Sequence, residues 1–183
     1  MFSNYMEAKW IDTNPFDMEE EVKNVFKFLK EMKVDKRCNA YLGIQEDIKR
    51  WLVFLPLISE LRDEAMRPRH WKAIKDKVQK DFEVNEKLLL KDVYNLNLNK
   101  YQEDVEEITD QARQESKMEK TLVKLEETWK DIVFEFNKHK DTDVMLIKLS
   151  EENFEMLEEN QVNVTAMFSS RYLSTFEEKC VYW

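Results

Sequence analysis

The stretch LNKYQEDVEEITDQARQESKMEKTLVKLEETWKD, residues 98–131, is free of proline and glycine and carries a helical rhythm. Tyr101, Val105, Ile108 and Ala112 recur at steps of 4, 3 and 4, and Met118, Leu122, Leu125 and Trp129 repeat the same spacing. Apolar side chains at that period line one face of a helix, and the Glu, Lys and Gln between them are strong helix formers. The phase slips between Ala112 and Met118, which reads as a local adjustment inside one long helix. At 1.5 Å per residue the 34 residues reach about 50 Å. A compact enzyme of this size rarely needs such an element, whereas a strut does.

Downstream the period changes. In IVFEFN (132–137) and VMLIKL (144–149), β-branched and aromatic residues replace the Glu/Lys pattern, and the polar KHKDTD (138–143) separates them. That order predicts a β-hairpin. Ser150 is then placed to cap a helix with Phe154, Leu157, Gln161, Val164 and Phe168 along one side. A break at Ser169-Ser170 and a last helix from about Arg171 follow, and the apolar CVYW with no stop signal suggests that the natural sequence continues. Upstream, Asp17 is placed to cap a helix running to about Lys33 with Met18, Val22, Val25, Leu29 and Met32 as its seam. Asn39 is placed to cap a second, striped by Tyr41, Ile44, Ile48, Trp51 and Leu55, which Pro56 should end or kink. Pro68 suits the first turn of a third, reaching about Lys80. The fold class is therefore mainly α, an elongated multi-helix bundle with one long central helix and a small β-hairpin. The division is expected at 97/98: a first bundle over 1–97, then the long helix, hairpin and following helices over 98–183.

Composition narrows the chemistry. Among 183 residues there is one glycine, Gly43, so a phosphate loop or dinucleotide fingerprint cannot be assembled. Lys and Arg number 29 against 38 Asp and Glu, for a net charge of −9. With 43% hydrophobic residues the chain is too apolar for a disordered tail. The apolar, uncharged run WLVFLPLIS at 51–59 is too short to span a bilayer, which takes about 20 residues. The amino-terminal MFSNYMEAKW lacks the apolar core of a signal peptide. Cys38 and Cys180 make no disulfide framework and are expected reduced and partly buried.

The residues offer little to catalysis. Two histidines, His70 and His139, exclude a three-histidine zinc site, and neither follows a glutamate by three positions as di-iron bundles require. Glu151, Glu152, Glu155, Glu158 and Glu159 crowd one helix start without an intervening base, the pattern of a solvated face favoured by the helix dipole. Residues 62–80 hold seven Lys/Arg against three Asp/Glu. The overall negative charge opposes a nucleic-acid groove there, so a docking patch for an acidic protein surface is the functional reading that survives. No catalytic, cofactor-binding or metal residue is assigned, and neither nucleic acid nor membrane is an expected partner.

At LPLISELRDEAMRPRHW, residues 55–71, the sequence resembles the signature of the dynein heavy chain linker domain, which precedes the AAA+ ring of that motor. Three further segments resemble the family in the same order: ITDQARQESKMEKTLVKLEETW (108–129), KLSEENFEMLEENQ (148–161) and QVNVTAMFSSRYLSTFEEKCVYW (161–183). The residues that carry the resemblance are Leu55, Pro56, Leu57, Ile58, Met66, Arg67, Arg69, His70, Trp71, Trp129, Gln161, Val162, Met167, Ser170 and Arg171.

The resemblance implies roughly the first half of a curved helical linker. In that family the linker lies across the ring, bends and straightens as ATP binds and is hydrolysed, and joins the force to the tail. ATP and Mg would then be held in the ring of the parent chain. The expected partners are that ring, the remaining linker and tail, and, through the whole motor, the microtubule. The wording is similar to axonemal forms, which implies a cilium or flagellum axoneme. The competing class is a plain interaction scaffold of the spectrin or tethering type, which has no use for the hairpin. Within the motif, Trp71 is expected to anchor the third helix against the long one, with Arg67 or Arg69 beside it and His70 satisfied by a hydrogen bond.

Overall fold

The computed structural model describes residues 3–183; of the amino-terminal stretch read above, Met1 and Phe2 lie outside the described residues. The chain is mainly α with one small antiparallel sheet, as its periodicity predicts. After the short α1 (Ser3–Met6), α2 spans Pro15–Glu31. Its cap is Asn14 rather than Asp17: Asn14 Oδ1 accepts the Phe16 N–H at 3.1 Å, and Pro15 supplies the fixed φ of a first turn. Asp17 instead accepts from Asn14 Nδ2 at 2.7 Å and places its charge at the positive end of the helix. Met18, Val22 and Leu29 are buried as read, whereas Met32 lies past the helix end in extended backbone and is exposed.

The next helix, α3, spans Asn39–Leu61. Cys38, not Asn39, precedes its first turn, and its Sγ accepts the Tyr41 N–H at 3.4 Å. Cys38 is accordingly exposed, not half-buried. Tyr41, Ile48, Trp51 and Leu55 face the core, but Ile44 does not. The helix runs through Pro56 and does not end there. Phe54, Leu55, Leu57, Ile58 and Leu61 are all buried around it, so packing outweighs the one backbone bond that proline removes, and Pro56 itself is exposed.

Helix α4 spans Pro68–Val78 and ends at the left-handed Gln79, φ 55°. Helix α5 spans Leu90–Asn95, and a second left-handed residue, Asn97 at φ 59°, turns the chain into a 3₁₀ turn, Leu98–Tyr101, that leads into α6 at Gln102–Lys130. The seam of α6 does not slip. Glu115, only 1% exposed, fills the position between Ala112 and Met118, so the buried face continues through Val105, Ile108, Ala112, Glu115, Met118, Leu122 and Leu125.

Strands β1 (Glu135–Lys138) and β2 (Met145–Lys148) pair antiparallel, with Phe136 opposite Ile147 and Glu135 opposite Lys148. Helix α7 spans Glu151–Phe168 behind the expected cap, Ser150, whose Oγ accepts the Asn153 N–H at 3.2 Å. Its buried side differs from the one read. Val164 and Met167 face inward, while Phe154, Leu157 and Phe168 are 53%, 43% and 46% exposed. Beyond the break at Ser169 there is a 3₁₀ turn, Leu173–Thr175, and α8 starts at Glu177 rather than Arg171 and ends at Tyr182. Phe176, buried between the two, fixes that turn in the core.

The chain parts into two compact units, residues 1–113 and 114–183. In the first, α2 and α3 pack face to face, and α4, α5 and the start of α6 add Ile74, Leu90, Val105 and Ile108 to one hydrophobic cluster. In the second, Met118, Leu122 and Leu125 of α6 meet Val164, Met167, Phe176 and Cys180. The expected division at 97/98 coincides with the left-handed Asn97, whereas packing parts inside α6. Among the described residues no helix is long and apolar enough to cross a membrane.

Candidate functional site

The motif residues of 55–71 gather at the junction of α3 and α4 in the first unit. Leu55, Leu57 and Ile58 are buried in its cluster, with Met66 packed against it; Pro56 faces outward. Arg67 precedes the first turn of α4, and its N–H donates to His70 Nδ1 at 3.1 Å. His70 is thereby a buried capping acceptor, which accounts for a histidine three residues past the cap residue Arg67. Arg67 Nη1 also donates to the Glu64 carbonyl at 3.3 Å, while Arg69 is at an exposed position.

The ring partners of Trp71 lie outside both α4 and α6. Its ring stands edge-on to Trp10 at 5.8 Å and to Phe82 at 6.3 Å, so it joins the amino-terminal segment to the loop after α4. The Arg62 guanidinium lies 5.5 Å from the Trp10 ring and donates through Nη2 to Thr13 Oγ1 at 2.8 Å. Burial pulls the pKa of Arg62 down, with a smaller opposing pull from Asp12. Trp10 sits in the stretch that sequence reading took only as a non-signal, and an isolated aromatic outside any periodic run gives no cue to its burial.

Besides Val105 and Ile108 in the shared hydrophobic cluster, two polar contacts tie α6 to this junction. Thr109 Oγ1 donates to Glu60 Oε2 at 3.0 Å, and Arg113 Nε donates to Asp63 Oδ2 at 2.8 Å. The carboxylates belong to the end of α3 and the turn after it, one helical turn from the buried Ile58 and Leu61. The side-chain hydrogen bond and charge of Asp63 raise the pKa of Arg113. None of these four residues stood out in the sequence, because charged and hydroxyl side chains on a Glu/Lys-rich helix look alike until their partners are known.

The remaining motif residues fall in the second unit. Trp129, half-buried near the end of α6, lies 6.4 Å from the Phe134 ring. Met167 is buried, and Cys180 Sγ approaches its Sδ at 3.8 Å. Gln161 and Val162 are exposed, Val162 by 67%. Ser170 Oγ accepts the Tyr172 N–H at 3.2 Å, and the Arg171 guanidinium lies 4.6 Å from the Tyr172 ring. Among the described residues no group of three or more His, Cys, Asp and Glu is placed to hold a metal ion. The arrangement is one of packed helices with polar ties.

Over residues 1–183 the chain matches the family model described as dynein heavy chain, N-terminal region 2. It is 38% identical to the dynein alpha chain, flagellar outer arm, of Chlamydomonas reinhardtii, across 100% of this chain and 4% of that one. The dynein axonemal heavy chain 17 of Mus musculus is 36% identical over 96% of this chain and 4% of its own length. The dynein beta chain, ciliary, of Tripneustes gratilla is 33% identical over 95% of this chain, again 4% of the relative. The chain thus spans about 4% of the length of these curated relatives.

Proposed function

Because the chain belongs to the dynein heavy chain N-terminal region 2 family, we propose that it is a mechanical linker segment of a motor heavy chain, a lever that passes an ATP-driven change in an AAA+ ring to the tail. The segment itself does no chemistry in this reading. ATP and Mg belong to the ring of the parent chain, which would be the microtubule-dependent ATPase. Its partners are that ring, the rest of the linker and the tail, with the microtubule reached through the whole motor. The axoneme of a cilium or flagellum is the proposed location, on the names of the relatives.

One observation carries the reading. Helix α6 is unbroken from Gln102 to Lys130, and its buried face is continuous across Ala112, Glu115 and Met118. A helix clamped along its length by side chains resists bending far better than a loop does.

The test is a proline at Ala112 in the complete motor. It removes a backbone bond, clashes one turn back and costs about 3 kcal/mol locally. Microtubule gliding slows and force falls while nucleotide binding in the ring persists. Ala112→Gly, which weakens the helix by about 1 kcal/mol, gives a smaller loss in the same direction. A folded Ala112→Pro motor that glides at full speed under load defeats the lever. Loss of partner binding with no motor phenotype would instead support a plain helical scaffold.

A further inference from the structure

The basic run of residues 62–80 is not one uniform patch. Lys77 pairs with Asp104 of α6 at 2.5 Å, and Lys80 donates to the Asn95 carbonyl at 2.5 Å. Arg62 is turned to Thr13 and the Trp10 ring, and Arg67 to the Glu64 carbonyl. Lys72 and Lys75 differ. They stand about one turn apart on α4 and line a hollow of about 460 Å³ whose other walls are Met66, Pro68, Trp71 and Val84. Among the described residues no carboxylate belongs to that lining.

The apolar walls are accessible: Pro68 and Val84 are exposed, and Met66 and Trp71 are half-buried. Lys72 is exposed and, among the described residues, has no ion-pair partner. Lys75 meets Asp81 at 2.8 Å, a carboxylate whose side chain is 93% exposed. A pair that open to water holds little, so an incoming carboxylate can take the place of Asp81. The whole chain carries a net charge of −9, which repels acidic partners in general. In this hollow the local charge is reversed, and it lies beside an apolar surface.

We propose that the hollow beside α4 is a docking site for an acidic segment of a partner polypeptide. One large apolar side chain of that segment enters against Trp71 and Val84, and neighbouring Asp or Glu residues meet Lys72 and Lys75. The volume suits a group of that size. Covering the half-exposed Trp71 ring supplies the apolar anchor, since aromatic side chains dominate interface energetics. The two lysines steer the encounter and reject segments of the wrong charge. This goes beyond the lever reading and stands or falls separately from it.

The test titrates the 183-residue chain with the synthetic peptide Ac-EDEFLEDE-NH2 by calorimetry at low ionic strength, where exposed charges are least screened. The expected result is saturable one-to-one binding that Lys72→Glu and Val84→Asp each weaken at least about tenfold. Lys72→Arg keeps the affinity of the parent chain, and so does Lys27→Glu, a change at an exposed lysine of α2 outside the lining. All these changes lie at exposed positions, and circular dichroism confirms that the variants remain folded. The proposal is overturned by any of five results. These are no saturation below about 1 mM, equal binding of the peptide with its Phe-Leu pair replaced by Ser-Ser, undiminished binding to Lys72→Glu, an equal loss with Lys27→Glu, or self-association of the chain that Lys72→Glu abolishes, which would assign the hollow to a second copy.

Discussion

Thr175 Oγ1 donates a hydrogen bond at 3.4 Å to Glu115 Oε1, a carboxylate buried in the seam of α6. A buried carboxylate is costly to leave without its donors. Thr175→Val therefore lowers stability by about 1 kcal/mol, and by less in a Glu115→Gln background, where an amide replaces the carboxylate. Urea unfolding of the two single variants and the double variant measures the coupling; strictly additive losses would show that the bond contributes nothing.

The edge-on pair Trp10 and Trp71 divides its burden unequally. Trp10 is 5% exposed whereas Trp71 is half-buried. Trp10→Ala costs about 3–5 kcal/mol, and Trp71→Ala about 1–3, since part of its ring already meets water. Thermal and denaturant unfolding rank the two. A Trp71 loss equal to or larger than that of Trp10 contradicts this account.

Pro56 sits inside α3 yet faces outward, so replacing it removes no packed contact. Pro56→Ala restores the missing backbone donor and relieves the ring's clash with the preceding turn, raising stability by about 1–2 kcal/mol. A lower melting temperature for the variant would mean that the proline geometry is itself part of the fit of the last turns of α3.

The two thiols separate by exposure. Cys38 is exposed and reacts at once with a disulfide reagent, whereas Cys180 is buried and reacts only on unfolding. Burial also raises the Cys180 pKa above its ordinary 9.0. The folded state then holds its proton more tightly than the unfolded state. The corresponding stability is fully present below pH 9.0 and is lost as pH rises toward the folded value. Cys180→Ala flattens that alkaline fall; an unchanged slope would place its origin elsewhere.

Much of the architecture was readable residue by residue. The length of α6, the hairpin, the Ser150 cap and the Pro68 start all depend on neighbours within a few positions. The motif of residues 55–71 was likewise visible in the chain, but the roles inside it were not. His70 proved a cap because of its spacing from Arg67, a local relation, whereas Trp71 found its partners at Trp10 and Phe82, which no spacing rule connects to it. Glu115 looked like a slip in phase because polarity alone marks a residue as outward.

By itself, then, the sequence determined where the long helices and the hairpin form, since periodicity and caps act over one or two turns, while the short α5 and the start of α8 escaped it. Tertiary structure alone decided which face each element buries and which breaker is overridden. Pro56 stays helical because the apolar residues around it are buried together, and α7 turns Val164 and Met167 inward while Phe154 and Leu157 remain in solvent. Those choices depend on contacts between residues far apart in the chain. A buried apolar side chain gains about 1.5–3 kcal/mol by leaving water, enough for a few acting together to outweigh a propensity or a lost backbone bond.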